Sequence, residues 1–422
     1  MNNKILNTYF LLLFSFIPAS IIIGPAVSLI NILLIDFSFI FLILLKKDYK
    51  LLSNKTIKLI IFLFLYLIFN SIISQDFSMS VNRNFGFIRF GILFLAFNYF
   101  FYNKDFVNKV LIVWILTLST LSLDTYIESI YGRNILGYGE AYGARIVSFF
   151  KDEPIVGGYI NGFYLAIIGY LFCLKNKISN KYKYIILIFT IFFIIAIVLT
   201  GERSNTIKAL FGFLIFYFFN DFFKFKEKFF FILVMFLTLG FLLSSSNFLK
   251  TRYVGQFFEP IMYSFKSDEK KKNYEIDESY KSFNNNLYYR LYKSGFAVFK
   301  NYPIFGVGNK NYRVETCSKE KKPNYICTTH PHQLYFEFLA EHGLFGSMVL
   351  FFILFSLIFG RIMIILASKN YLQIGCLIFL TTSFIPFLPS GAFFADYNLT
   401  IFWLNLSIMY SIEKKTNVYT SN

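Results

Sequence analysis

Long apolar runs dominate this chain and alternate with short polar segments. A helix needs about 20 predominantly apolar residues to cross the hydrocarbon core of a bilayer, and the runs are close to this length. The pattern predicts an all-α polytopic membrane protein with about 12 transmembrane helices. The expected spans are 6–23, 25–45, 56–74, 85–102, 106–123, 157–174, 183–200, 204–220, 229–246, 333–360, 371–388 and 394–411.

Composition also indicates a membrane protein and argues against a nucleic-acid-binding protein. The 422 residues are 56% hydrophobic and 22% aromatic, with a mean hydropathy of +0.56, whereas soluble domains are about 45–50% apolar. A high positive net charge, here +17, also occurs in nucleic-acid-binding proteins, but a basic polytopic protein uses Lys and Arg to set its topology. We therefore expect a lipid bilayer as partner and no nucleic acid.

The basic residues fall on one side of the predicted membrane. Numbering the loops by alternation places every short basic loop, together with Lys4, Lys414 and Lys415, on the cytoplasmic side. Both termini are then cytoplasmic. The first apolar run begins almost at Met1 and has no small-residue cleavage signature after it, so we expect a retained span. The basic loops contain Lys46, Lys47, Lys50, Lys55, Lys58, Lys104, Lys109, Lys175, Lys177, Lys181, Lys183, Lys224, Lys226, Lys228, Arg361 and Lys369.

The polar residues that remain lie in the loops of the opposite side. The longest of these covers residues 247–331, and loops of this length are usually functional or disordered. We therefore divide the chain into nine transmembrane helices in 1–246, a periplasmic loop region in 247–331, and helices 10–12 with a short cytoplasmic tail in 332–422. The charged stretch 266–282 within the loop region is expected to be mobile.

Two of the three histidines stand where the large loop meets the tenth span. Histidine exchanges protons near neutral pH, although an interfacial histidine can also simply bind headgroups. Pro331 restricts His330 to an extended conformation and can open a helix, which predicts His332 in the first turn of that span. There the helix dipole disfavours an imidazolium, so His332 is a candidate general base. His342, beside Glu341, is expected to be structural.

Arginines mark the outer ends of several spans. Guanidinium groups bind phosphate oxygens through paired hydrogen bonds, and ionisable groups at membrane depth indicate function by default. The alternative for each is snorkelling or an ion pair. Arg203, in a very tight turn between two spans, has the strongest functional case; the other candidates are Arg83, Arg89, Arg145 and Arg290.

Cysteine and acidic residues limit the remaining chemistry. Cys317 and Cys327 both fall in the large outer loop, where an oxidising compartment allows a disulfide. Neither forms a zinc-type CxxC pair, and the outer acidic residues lack a DxD-like spacing. We expect no metal and no cofactor.

Four short motifs follow one another along the outer side. They are Gly-Glu-Arg-Ser at 201–204, Tyr-Pro-Ile-Phe-Gly-Val-Gly at 302–308, His-Pro-His-Gln-Leu-Tyr at 330–335 running into Glu-His-Gly-Leu-Phe-Gly at 341–346, and Pro-Ser-Gly-Ala-Phe-Phe at 389–394. Each is weak alone, and the second has a plain reading as a turn. Their order, with twelve spans and one large late loop, resembles the O-antigen ligase and Wzy polymerase superfamily.

The resemblance implies a glycosyltransferase of the bacterial inner membrane with its active site facing the periplasm. The donor would be a glycan on undecaprenyl pyrophosphate and the acceptor lipid A-core or another glycan, in an inverting, metal-independent reaction. His332 matches the base, and Arg203 and Arg290 match arginines that hold the pyrophosphate. Arg145, Arg89 and His330 are weaker substrate-binding candidates.

Two departures from the family pattern stand out. Gln333 replaces the usual Asn, and Glu202 replaces a small residue, which allows an ion pair between Glu202 and Arg203. Neither removes a proposed catalytic group.

Several functions remain open at this point. A ligase is favoured over a Wzy-type polymerase by the motif set and the single dominant loop. A protein-glycosylating transferase usually has a larger C-terminal outer region. A lipid-linked glycan flippase or other transporter would place charges near mid-membrane on broken helices, whereas these spans are almost uncharged there. A scaffold would leave the histidine motif without a reason.

Overall fold

A computed structural model describes residues 3–46, 54–139, 145–174, 179–255, 286–320 and 322–421. Over these residues the protein is helical, with one isolated β-bridge between Arg133 and Gly139. The first half contains α1 (Asn3–Ile23), α2 (Pro25–Lys46), α3 (Lys55–Ile72), α4 (Phe77–Gly86), α5 (Ile88–Phe100), α6 (Lys104–Tyr131), α7 (Val156–Cys173), α8 (Asn180–Leu199) and α9 (Arg203–Phe218).

The second half contains the helices that follow α9. They are α10 (Phe225–Ser245), α11 (Asn247–Lys250), a π-helical turn at Thr251–Gly255, α12 (Leu287–Asn301), α13 (Tyr312–Thr316), α14 (Leu334–Phe359), α15 (Ile362–Ser368), α16 (Tyr371–Thr382) and α17 (Asp396–Ser411). The stretch expected to be mobile, 266–282, lies outside the described residues, and so does much of the predicted loop region.

The multi-pass architecture is confirmed at the level of helices. Eight of the described helices are long and apolar enough to cross a membrane: the first three, α6, α7, α8, α10, and α14 with α15. The other predicted spans correspond to helices of 12 to 16 residues, which are short for a hydrocarbon core of about 30 Å. The number twelve remains a prediction.

Three predicted spans differ from the helices observed. The fourth begins in the last turn of the polar α4, and its apolar helix is α5, which starts after Phe87. Asp76 caps α4 by accepting the amide of Met79. The fifth continues to Tyr131, so residues expected in an outer loop are helical. The eleventh ends at Thr382, and Pro386, which cannot supply an amide donor, follows within one turn.

The helix α7 lies at the centre of the bundle. Of the residues in its apolar 18-residue stretch, 83% are buried. The helix packs against α16 with little space between the backbones. A methyl group on Gly169 would lie 2.1 Å from the carbonyl oxygen of Tyr371, and one on Gly375 would lie 2.2 Å from that of Leu165. These two glycines let the helices approach closely, as small residues do in membrane bundles.

The helix α10 is much less buried than α7: only 17% of the residues in its most apolar 18-residue stretch are buried. Large apolar side chains cover its exposed surface: Phe225, Phe229, Phe230, Leu233, Phe236, Leu237 and Phe241. A contiguous apolar surface of this kind suits contact with lipid rather than water.

Candidate active site

The His-Pro-His segment lies just before α14. His332 has a left-handed backbone with φ of 56°, which is uncommon for a residue with a side chain. Its carbonyl accepts the amide of Ser390 at 2.9 Å, so the late Pro-Ser-Gly motif holds it. Gln333 caps the helix by accepting the amide of Phe336 at 2.9 Å. The expectation that His332 stands in the first helical turn is therefore wrong, because the cap follows it.

The two imidazole rings of this segment lie against one another. Their centroids are 4.0 Å apart, and the ring of Tyr288, in the first turn of α12, makes an edge contact with His332 at 6.4 Å. The hydroxyl of Thr329 is 3.0 Å from Nδ1 of His330. Burial lowers the pKa of His332, and burial followed by the neighbouring His332 lowers the pKa of His330 to about 4. Both rings are neutral at neutral pH.

The helix α12 supports the histidines from one side. A methyl group on Gly295 would lie 2.9 Å from Cβ of Pro331, so the proline can pack here only because residue 295 has no side chain. Tyr292 stacks on Phe336 with the centroids 5.5 Å apart. From the other side, the buried carboxylate of Glu337 accepts the amide of Phe393 at 3.0 Å. The segment is thus held between α12 and the loop before α17.

A sharp break in α14 receives the Tyr-Pro-Ile-Phe-Gly-Val-Gly motif. Gly343 has φ 64° and ψ −169°, which frees carbonyls on one side of the break and amides on the other. The carbonyls of Ala340 and Glu341 accept the amides of Val307 and Gly308 at 3.0 and 2.9 Å. The amides of Leu344 and Phe345 donate to the carbonyls of Pro303 and Ile304 at 2.8 and 3.1 Å.

The two glycines in this contact meet backbone to backbone. A methyl group on Gly306 would lie 2.4 Å from the carbonyl carbon of Glu341, and one on Gly343 would lie 2.4 Å from that of Ile304. The Pro/Gly motif therefore packs its backbone directly against the break in α14. Next to the break, the buried ring of His342 lies 3.0 Å from the Tyr66 hydroxyl, in keeping with a structural role.

Three arginines converge on the turn between α8 and α9. Arg203 is the first residue of α9. Arg252, in the π-helical turn, donates to the carbonyl of Gly201 at 3.2 Å, and Arg145 donates to the carbonyl of Pro154, just before α7, at 3.3 Å. Burial, and then the positive charges of Arg203 and Arg145, lower the pKa of Arg252, so the three guanidinium groups share one electrostatic environment.

The carboxylate of Glu202 lies at the N-terminal end of α7, beside these arginines. Its carboxylate accepts the amides of Gly157 and Gly158 at 2.7 and 3.1 Å and the Asn205 amide group at 2.6 Å. Burial raises the pKa of Glu202, while these donors and the charge of Arg145 act in the opposite direction. The residue that departs from the family pattern is therefore a cap of α7. Among the described residues, no side-chain hydrogen bond caps α9, so the positive end of its dipole adds to the arginines.

The remaining arginine candidates lie apart from this cluster in the described contacts. Arg89, with Arg83, pairs with Asp396 at the start of α17; the Arg83 distance is 2.6 Å. Arg290 is exposed on α12, and among the described residues no side-chain hydrogen bond or ion pair is recorded for it. Their roles toward a substrate remain predictions.

Two residues of the site were not singled out from the sequence. Arg252 follows the ninth span closely, and the only signal was its position at the start of the outer loop. Tyr288 touches the ring of His332, and its phenol is among the groups that act on the charge of Arg252. Tyr288 is therefore linked to both the base and the arginine cluster.

The outer segment leading to His330 is tied by a disulfide between Cys317 and Cys327. Nearby, the carboxylate of Glu315 accepts from Lys322 at 2.6 Å, from Tyr325 at 3.0 Å and from Gln75 at 2.9 Å. These contacts fix the segment that precedes the histidines. In the described part of the chain, no group of three or more His, Cys, Asp or Glu side chains is placed to hold a metal ion.

The chain was compared with known protein families and with curated proteins. Residues 188–352 match the family model described as O-antigen ligase. The matched segment contains Arg203, Arg252 and both site histidines, and leaves Arg145 outside. No curated protein matches the chain. Together with the expected motif order and the helical bundle, this match supports the resemblance to the O-antigen ligase and Wzy polymerase superfamily of membrane proteins.

Proposed function

We propose that this protein transfers a glycan from undecaprenyl pyrophosphate to a lipid A-core acceptor, as an inverting O-antigen ligase of the periplasmic face of the inner membrane. The observation that carries the proposal is a neutral His332 in contact with Tyr288, whose phenol acts on the charge of Arg252 in the arginine cluster. One group suits a hydroxyl that must lose a proton, and the other suits a pyrophosphate that must leave.

The arginine cluster is proposed as the donor site. Arg145, Arg203 and Arg252 present guanidinium groups that bind phosphate oxygens in pairs. The uncapped start of α9 adds a partial positive charge on the same side. A pyrophosphate carries negative charge in the bound donor and gains more as the glycosidic bond breaks, so fixed positive groups at this place stabilise both the bound donor and the transition state.

His332 is proposed as the general base. Its lowered pKa leaves the imidazole unprotonated at neutral pH, as a proton acceptor requires. The acceptor hydroxyl gives its proton to His332 while its oxygen bonds to the anomeric carbon. The bond from that carbon to the pyrophosphate oxygen breaks on the opposite face, which inverts the configuration. Undecaprenyl pyrophosphate departs with the electron pair, and His332 later returns the proton to solvent.

The charges at this site need no bound metal in the scheme. The guanidinium groups neutralise the pyrophosphate, and the base acts on an ordinary hydroxyl. Both substrates are amphiphiles, so they would enter from the bilayer.

The test is a deletion in the native host, complemented with the wild type and with His332→Ala. Lipopolysaccharide and lipid-linked glycan are then separated by gel. If the protein is a ligase, its deletion leaves the core bare while long polymer accumulates on undecaprenyl pyrophosphate. Only the wild-type gene then restores transfer. A core with a single repeat would instead identify a polymerase, and unchanged profiles for both lipids would overturn the proposal.

A further inference from the structure

The outer end of α6 carries two buried carboxylates that bind the backbone of a distant segment. Glu128 accepts the amide of Val147 at 3.0 Å and the amide of Ser148 at 2.6 Å, one with each oxygen. Asp124, one turn earlier, accepts the hydroxyl of Ser148 at 2.5 Å. Two carboxylates four residues apart on a helix repel one another, so the arrangement depends on these donors.

The same segment is held from a second direction. Asn134 donates to the carbonyl of Ser148 at 2.8 Å and contacts Asp124 at 3.3 Å. Ser148 has a φ of 46°, a backbone conformation that costs free energy and persists only where the surroundings impose it. Ile146, Val147 and Ser148 are all buried. The carboxylates therefore fix the path of the chain here, and do not merely touch its surface.

This clamp lies within three residues of Arg145. The guanidinium is tied on its far side to the carbonyl of Pro154, and the backbone is tied on its near side by Glu128. Arg145 also interacts electrostatically with Glu202, whose carboxylate lies at the start of α7. A side chain fixed at both ends presents its remaining donors in one direction, which reduces the entropy lost on binding an anion.

We propose that Glu128 is a positioning residue for Arg145 and acts on the donor pyrophosphate through it. The inference rests on the proposed function, in which Arg145 binds that pyrophosphate. Two oxygens are needed because two amides converge on the one side chain, and glutamine offers a single acceptor oxygen. Glu128 touches neither substrate.

The test is a double-mutant cycle with purified protein in lipid nanodiscs, lipid-linked glycan as donor and lipid A-core as acceptor. Glu128→Gln should raise the donor KM by about tenfold, the size expected for losing one hydrogen bond to a charged group, with kcat nearly unchanged. Arg145→Ala should raise the donor KM as well. The double variant Glu128→Gln with Arg145→Ala should be no worse than Arg145→Ala alone, because Glu128 then has nothing to position.

Two further variants keep the test decisive. Asp152→Asn, on the same outer segment but exposed, is the matched control and should behave as the wild type. Ser148→Ala removes a contact to Asp124 while both carboxylates stay, so it serves if Glu128→Gln does not fold; it should raise the donor KM only when Arg145 is present.

The two levels of the argument fail differently. A donor KM unchanged by Arg145→Ala would remove Arg145 from the donor site and with it part of the proposed function. A response to Arg145→Ala together with effects of Glu128→Gln that multiply in the double variant would overturn the positioning role alone. Equal losses for Glu128→Gln and the Asp152→Asn control would do the same.

Discussion

The base and the arginine cluster are positioned by different means. His332 is held through its backbone, by the amide of Ser390 and by the packing of Pro331 on Gly295. The arginines are held through their side chains and neighbouring charges, by the carbonyls of Pro154 and Gly201. The first region depends on shape and the second on charge.

This difference determines which substitutions each region tolerates. A backbone-held residue keeps its place when its own side chain is removed, so its variants report chemistry. A residue held by charge changes its surroundings when it is removed, because the neighbouring guanidinium groups repel one another at the distances a shared site requires. The predictions below use this contrast, from the largest expected effect to the smallest.

His332→Ala should show the largest loss. General bases contribute about 10²- to 10⁴-fold to rate, and the backbone contacts of this position do not involve its ring. We expect kcat to fall by that range while expression and thermal unfolding stay as in the wild type. His330→Ala, which removes the adjacent ring, is the comparison. Turnover retained in His332→Ala would remove the base assignment.

Arg203→Ala should come next, with a loss of about 10²-fold in kcat/KM for the donor, the magnitude of removing one preorganised donor from a developing charge. Arg203→Lys keeps the charge without the paired geometry and should fall between. Arg313→Ala, at an exposed arginine of α13 outside the proposed site, is the matched control and should behave as the wild type. Equal activity in Arg203→Ala, Arg203→Lys and wild type would argue against phosphate binding.

Gly343→Ala should affect stability before activity. Its methyl group would lie 2.4 Å from the backbone of Ile304, and its positive φ disfavours any side chain, so we expect destabilisation of about 2 kcal/mol or more. Thermal unfolding in nanodiscs measures it. Gly240→Ala, where no atom lies within 4 Å, is the matched control, and equal melting of the two variants would contradict the backbone contact.

The pH dependence should show the smallest effect. Because burial lowers the pKa of His332 below 6.5, the imidazole is unprotonated above that pH and gains a proton as the pH falls through its lowered value. The acid limb of kcat/KM should therefore lie below pH 6.5, with a plateau toward neutral pH. Arg203→Lys should keep the limb in place. An acid limb at or above pH 6.5 would mean that burial does not lower the pKa of His332.

Much of the membrane architecture was predictable from residue patterns. Apolar length alone identified most of the long helices, because a span must bury its backbone hydrogen bonds within itself. The pattern failed where length was not the deciding quantity. Most of the polar α4 and the outer turns of α6 were assigned to outer loops. In α6, the buried Asp124 and Glu128 accept hydrogen bonds from residues farther along the chain, which the local pattern does not show.

The sequence by itself determined the helical class, the resemblance to the O-antigen ligase family and the histidine and arginine types that the proposed chemistry requires, because these depend on composition, spacing and motif order. Only the tertiary structure decided which of the five candidate cations share a site. It grouped Arg145 and Arg203 with Arg252, paired Arg89 with Asp396, and brought Tyr288 to the ring of His332. Such contacts join residues far apart in the chain, and they depend on packing that no local pattern encodes.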